Sequence, residues 1–138
     1  MAHGLQKLLG LWGGPGISGT VQMVQGLGFG SAHSLATVLI LTELIGGALL
    51  IVGWGTRVVS AALLVDMGIA VWKVHYQNGF FMNWALTPGK GHGIEYNLVL
   101  IGALLCLMLT GPGALSVDVH RTRSAAALRA GRERMRKV

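Results

Sequence analysis

Glu43 stands within Thr42-Glu43-Leu44-Ile45-Gly46-Gly47, in the middle of an otherwise apolar segment from Ala36 to Trp54. Asp66 holds a comparable place in the next apolar stretch, Val58 to Val74. Carboxylates so placed are costly in hydrocarbon and need a partner, a proton or a water-filled cavity. Counted inward from the outer ends of their segments, they lie at about 10 Å and about 12 Å at the helical rise. Adjacent helices would therefore hold them at similar depth. Two carboxyls facing each other there can share one proton, because their like charges oppose joint ionisation. That is the chemistry of proton uptake and release. The plainer alternative is a structural hydrogen bond to a neighbouring helix.

Other polar residues could join them. Glu95 falls in the first turn of a third apolar stretch, where the helix dipole alone would favour a carboxylate. Gly46 and Gly47 share the Glu43 face and would let a neighbouring helix come close. Lys73 follows Asp66 by two turns on the same face, near enough to the end of its segment to snorkel to the interface. His3, His75 and His92 lie at outer ends, without the i, i+4 spacing of a helical metal site, so no metal is expected. Cys106, the sole cysteine, rules out an intrachain disulfide and reads as a small packing residue. On the third segment it shares a stripe with Glu95, Leu98 and Gly102, which is expected to pack against a neighbouring helix. No nucleotide-binding loop, CxxC pair, haem-attachment motif or nucleophile elbow occurs.

The elements that must position these groups are membrane helices. Of 138 residues 52% are hydrophobic and 12% charged, a balance foreign to an ordinary soluble domain. The 22 glycines are spread through apolar segments and turns, as in tightly packed transmembrane helices. The expected fold is all-α, a polytopic transmembrane bundle over residues 1–118 with spans at about 36–54, 58–74 and 94–110. A basic cytoplasmic tail at 119–138 follows. Gly53-Trp54-Gly55-Thr56-Arg57 turns the first span into the second, making an antiparallel pair. Before them, Ser18 to Gln25 reads as a short helix at the membrane surface, capped by Ser18 and ended by Gly26 or Gly28. The polar and aromatic stretch from His75 to Gly93 is the longest connection, and Gly111-Pro112-Gly113 ends the third span.

Basic residues set the expected orientation. Seven of eleven lie between Arg121 and Lys137, which suits an inner-face tail better than a nucleic-acid surface. With that tail inside, Arg57 joins it, leaving Lys7, Lys73 and Lys90 outside. Ser124 to Lys137 alternates Ala, Leu and Arg in a way that permits a basic helix touching anionic lipid.

Read in order, a set of blocks resembles the DoxX family of bacterial inner-membrane proteins. They are Ala2-His3-Gly4-Leu5-Gln6-Lys7-Leu8, Gly13-Gly14-Pro15-Gly16, Glu43 to Gly47 with Gly53 and Thr56-Arg57, then Asp66-Met67. His75 with Asn78-Gly79-Phe80-Phe81, Glu95-Tyr96, Thr110 to Gly113 and Leu115 to Asp118 complete it. The resemblance implies a four-helix bundle in the bacterial inner membrane, with members linked to quinone-dependent sulfur oxidation and to membrane oxidoreductase complexes. Family members have most of a first helix ahead of the Ala-His-Gly block. Here that block starts at residue 2. Either the coding region is expected to begin further upstream, with the rest of a first helix ahead of Met1, or the first helix is truncated or missing.

The resulting expectation is a membrane subunit of a quinone-linked oxidoreductase complex. Glu43, Asp66 and Glu95 are its candidate proton-handling residues, and His3, Gly47, His75 and Tyr96 its candidate substrate-binding residues. A quinone is the implied cofactor. Membrane lipid, redox partner proteins or further copies of the chain are the expected partners, and nucleic acid is not. A proton- or cation-coupled transporter of a small solute, and a scaffold docking a soluble enzyme, are the alternatives.

Overall fold

The computed structural model describes residues 1–136, and among them every regular element is helical. In chain order the helices are α1 (Ala2–Leu9), α2 (Gly16–Gly26), α3 (Ala32–Val52), α4 (Thr56–Ala70), α5 (Glu95–Thr110) and α6 (Val117–Arg136). A π-helical turn at Val71–His75 and a 3₁₀ turn at Tyr76–Asn78 carry α4 onward, giving a continuous apolar rod of 23 residues. With the 21 residues of α3, it is long enough to cross a bilayer.

Burial in these helices is inverted relative to a water-soluble core. Only 22% of the apolar window of α3 and 17% of that of Thr56–Asn78 is buried. Val38, Ile45 and Ile51 on α3, Val58 and Val65 on α4, and Val99 and Leu109 on α5 all face outward. Glu43, Ser60, Asp66 and Asn97 face inward. Apolar outer surface with polar groups turned to the helix contacts is what a hydrocarbon solvent selects. The protein is a helical membrane bundle.

The α3–α4 pair is made by its turn. Gly53 and Gly55 both adopt positive φ, 65° and 62°, where a Cβ would be strained, and α4 starts one residue after Gly55. The antiparallel register is fixed by Gly46, whose position for a Cβ lies 3.4 Å from Val59 and 3.5 Å from Leu63. One turn earlier on α3 and one turn later on α4 come Glu43 and Asp66. The α4–α5 pair is also antiparallel, with Asn97 near Met67 at one end and Arg57 near Leu109 at the other.

The N-terminal segment departs most from the sequence reading. α2 begins at Gly16, after Pro15, so Ser18 lies inside the helix and makes no cap. It packs against α1 and α3. Thr20, fully buried, places its hydroxyl 2.7 Å from the Gly16 carbonyl and 3.2 Å from that of Lys7. α1 runs antiparallel to α3, with Met1 against Gly47, Gly4 against Leu44 and Lys7 against Glu43.

Two further differences concern α5 and α6. The expected packing stripe of α5 looks outward: Gly102 and Cys106 are exposed, and nothing lies within 4 Å of a Cβ at Gly102. Asn97 and Leu104 form the inward face instead. The basic helix expected from Ser124 starts at Val117, and Lys137 lies outside the described residues. Asp118 accepts hydrogen bonds from the Gly55 and Thr56 N–H groups at 2.9 and 3.0 Å, so the start of α6 caps α4.

Candidate functional site

Three ionisable side chains from three helices converge. α1 brings Lys7, α3 brings Glu43 and α4 brings Asp66. The Lys7 ammonium donates to Glu43 Oε1 in an ion pair. The carboxyl of Asp66 lies within hydrogen-bonding reach of Glu43 and close enough to Lys7 to feel its charge. Glu43 is 7% exposed and Asp66 8%, so both stand out of solvent.

Local sequence explains how each arrives. α1 is only eight residues long and reaches α3 because Gly4 has no side chain: a Cβ there would sit 2.7 Å from the Leu44 backbone nitrogen. Gly47 serves the same approach against Met1. One turn past Gly4 the helix presents Lys7 to Glu43, and the buried Thr20 hydroxyl fastens α2 at the Lys7 carbonyl. Gly46 then brings α4 near enough for Asp66 to face Glu43.

The cluster has unused polar capacity. Glu43 Oε2 and Asp66 Oδ2 are buried without a hydrogen-bond partner, as are Thr56 Oγ1 and Ser60 Oγ further along α4. Buried carboxyl oxygens demand a donor, and a proton shared between the two acids would supply one. With that proton the cluster would be electrically neutral: two carboxyls, one ammonium, one shared hydrogen.

The remaining candidate residues lie elsewhere. Glu95 Oε2 accepts a hydrogen bond from Met82 N–H at 3.0 Å, fastening the loop after α4 to the first turn of α5. His75 Nδ1 is 2.8 Å from the His92 carbonyl, and Asn83 N–H donates to His92 Nδ1 at 3.3 Å. These two histidines belong to the loop's own hydrogen-bond network. His3 pairs with Gln6 at an exposed site, 2.9 Å away. Tyr96 is 45% exposed on the outside of α5. Gly47 contacts Met1, so its role here is close packing. Lys73 rests its ammonium on the Trp72 and Phe29 rings, 4.2 and 5.4 Å from their centroids. Among the described residues no group of three or more His, Cys, Asp or Glu could hold a metal ion.

Lys7 is the residue that sequence reading missed. It was counted among the outer charges that orient the chain, yet it pairs with the intramembrane acid. Its signal was present: Glu43 needed a cation, and Lys7 was the first basic residue in the chain.

An outward apolar surface, buried polar contacts and a Lys–Glu–Asp cluster define the class as a multi-helix integral membrane protein with an ionisable interior. Comparison with known proteins then gives the family. The DoxX family model matches residues 1–76, more than half of the chain, and the chain belongs to the DoxX family. The matched region carries Lys7, Glu43 and Asp66. The chain is similar to inner membrane protein YphA of Escherichia coli (strain K12), 30% identical over 111 residues, 75% of this chain and 72% of the relative. It is also similar to uncharacterized membrane protein Rv3486 of Mycobacterium tuberculosis (strain ATCC 25618 / H37Rv), 30% identical over 104 residues. That alignment spans 73% of this chain and 64% of the relative. No solved structure matches the chain significantly.

Proposed function

We propose that the protein is the membrane subunit of a quinone-linked oxidoreductase complex in the bacterial inner membrane, with the Lys7–Glu43–Asp66 cluster as its proton-handling site. The observation that carries this reading is the pair of buried carboxyls from α3 and α4, one held by the Lys7 ammonium and each with an unpartnered oxygen. A static structural pair has no need of a second acid. A group that takes up and returns a proton does, because the second carboxyl lets the charge of the cluster change by one without exposing a lone ion.

The two unpartnered oxygens suit a ligand whose carbonyl or hydroxyl exchanges protons. When bound, a quinone would supply two-electron redox chemistry at such a headgroup. Asp66 and Glu43 would share the proton, Lys7 would orient Glu43, and the outward apolar faces of the helices would exclude water. With one cysteine and no cofactor motif, the electrons come from a partner protein. Glu95, His3, His75, Gly47 and Tyr96 are kept as proposed contributors at the outer end and the α1–α3 contact.

The test is quinone extraction from protein purified in native lipid, comparing wild type with Glu43→Gln, Asp66→Asn at matched helicity. Stoichiometric quinone in the wild type and its loss in the variant is the expected result. Equal background quinone in both proteins would sink this reading and leave proton-coupled transport, which the same cluster could serve.

A further inference from the structure

We propose a second binding site, at the opposite end of α4 from its π-helical turn, for the phosphate headgroup of an anionic phospholipid. A concavity of about 420 Å³ opens where α4 begins, α5 has just ended and α6 sets out. Arg57 and Arg123 line it on the charged side, and Val58, Pro112 and Val119 on the apolar side. It is remote from Lys7, Glu43 and Asp66 and plays no part in the proton chemistry proposed for them.

The geometry selects the occupant in three ways. First, the charges are available. Asp118 also lines the concavity, but its carboxylate already accepts the Gly55 and Thr56 N–H bonds, which also occupy donors at the α4 N-terminus. Arg123 makes no hydrogen bond among the described residues. Arg57 reaches only the Leu109 carbonyl, at 3.5 Å, leaving most of its donor fork open to phosphate oxygens.

Second, the apolar wall continues outward. Val58 on α4 is 77% exposed, and Leu109 on α5, whose carbonyl Arg57 reaches, is 72% exposed. Both belong to helices that face hydrocarbon, so an acyl chain laid along them would run from the charged pocket into the bilayer. A free anion would use the arginines and leave this wall uncovered. A phospholipid uses both.

Third, the level is right. Arg57 lies at the end of an apolar rod and beside the close of α5 at Gly111, where headgroups meet the ends of spanning helices. Basic pockets between such helix ends are suited to anionic headgroups, each arginine contributing through attraction to the lipid phosphate.

The experiment is native mass spectrometry of the full detergent-solubilised chain titrated with phosphatidylglycerol, with phosphatidylcholine and inorganic phosphate as parallel probes. The expected result is preferential retention of phosphatidylglycerol, weakened roughly twenty-five-fold by Arg57→Gln with Arg123→Gln, and unchanged by phosphate. Arg134→Gln with Arg136→Gln removes the same charge from the far end of α6 and should leave retention as it was. If the double variant folds poorly, Arg123→Gln alone keeps the test, with about a fivefold loss expected. Equal loss from the Arg134 and Arg136 variant would overturn the proposal in favour of a diffuse basic field. So would equal retention of phosphatidylcholine, or displacement of the lipid by phosphate.

Discussion

The ammonium of Lys7 meets the carboxylate of Glu43 across 36 positions of chain, and this contact fastens the first helix to the third at a buried acid. It ties the short N-terminal hairpin to the polar interior of the bundle. It also makes the stability of α1 depend on a charge on α3.

Replacing Lys7 by Met should therefore destabilise the protein by about 3 kcal/mol, because it leaves Glu43 buried without its cation. Combining Lys7→Met with Glu43→Gln should recover part of that loss. Thermal unfolding of the three variants in one detergent measures it. A double variant no more stable than Lys7→Met would show that Glu43 bears no unpaired charge in the single variant.

Gly4 and Gly68 should respond in opposite directions to alanine. At Gly4 the new Cβ would meet the Leu44 backbone, 2.7 Å from its nitrogen, and neither helix can yield cheaply. About 1–3 kcal/mol of destabilisation is expected, with α1 displaced from α3. At Gly68 nothing lies within 4 Å, and alanine should stabilise α4 by roughly 0.5–1 kcal/mol. Paired unfolding midpoints decide it, and a Gly4→Ala protein as stable as wild type would contradict the close α1–α3 approach.

Ser60 is fully buried with no partner for its hydroxyl. Removing an unsatisfied polar group relieves its desolvation, so Ser60→Ala should raise stability by about 1 kcal/mol. A lowered midpoint would mean instead that the hydroxyl serves a ligand or water in the α3–α4 contact.

Asp118 should give the protein an acid-sensitive joint. The N–H donors of Gly55 and then Thr56 hold its carboxyl below the ordinary value of 3.8. A carboxyl lowered by folding stabilises the native state fully above its unfolded value, and that contribution is lost as pH falls through the lower folded value. The loss should thus begin near pH 3.8 and be complete further down. Asp118→Asn should flatten this part of the unfolding profile while leaving its shape near neutrality unchanged. Hydrogen exchange at Gly55 and Thr56 provides the local readout, and unaltered exchange in the variant would count against the cap.

The apolar helices were legible in the sequence because each is a local property. α3 begins four residues before the apolar run first apparent at Ala36, and α5 begins within a residue of Ile94. The equal depth of Glu43 and Asp66 followed from counting residues in two helices joined by a tight turn. The N-terminal helices were less legible. Residues 2–9 make too short a helix to announce itself by periodicity, and its docking depends on what Gly4 omits rather than on what it carries. The face of α5 was misread for a related reason. Small residues at Gly102 and Cys106 permit close packing, but Asn97 and Leu104 are the ones that meet the rest of the bundle.

By itself the sequence determined that this chain belongs in a bilayer, where its apolar helices lie, and that two of its five acids stand in the middle of them. Those facts follow from the cost of moving each residue from water to hydrocarbon, which sums along a segment without reference to its neighbours. Tertiary structure decided that Lys7 is the partner of Glu43, that Asp118 caps a helix far behind it in the chain, and which side of α5 turns inward. Each is a choice among several chemically adequate residues. Only the distance and angle at which packed helices meet can make it.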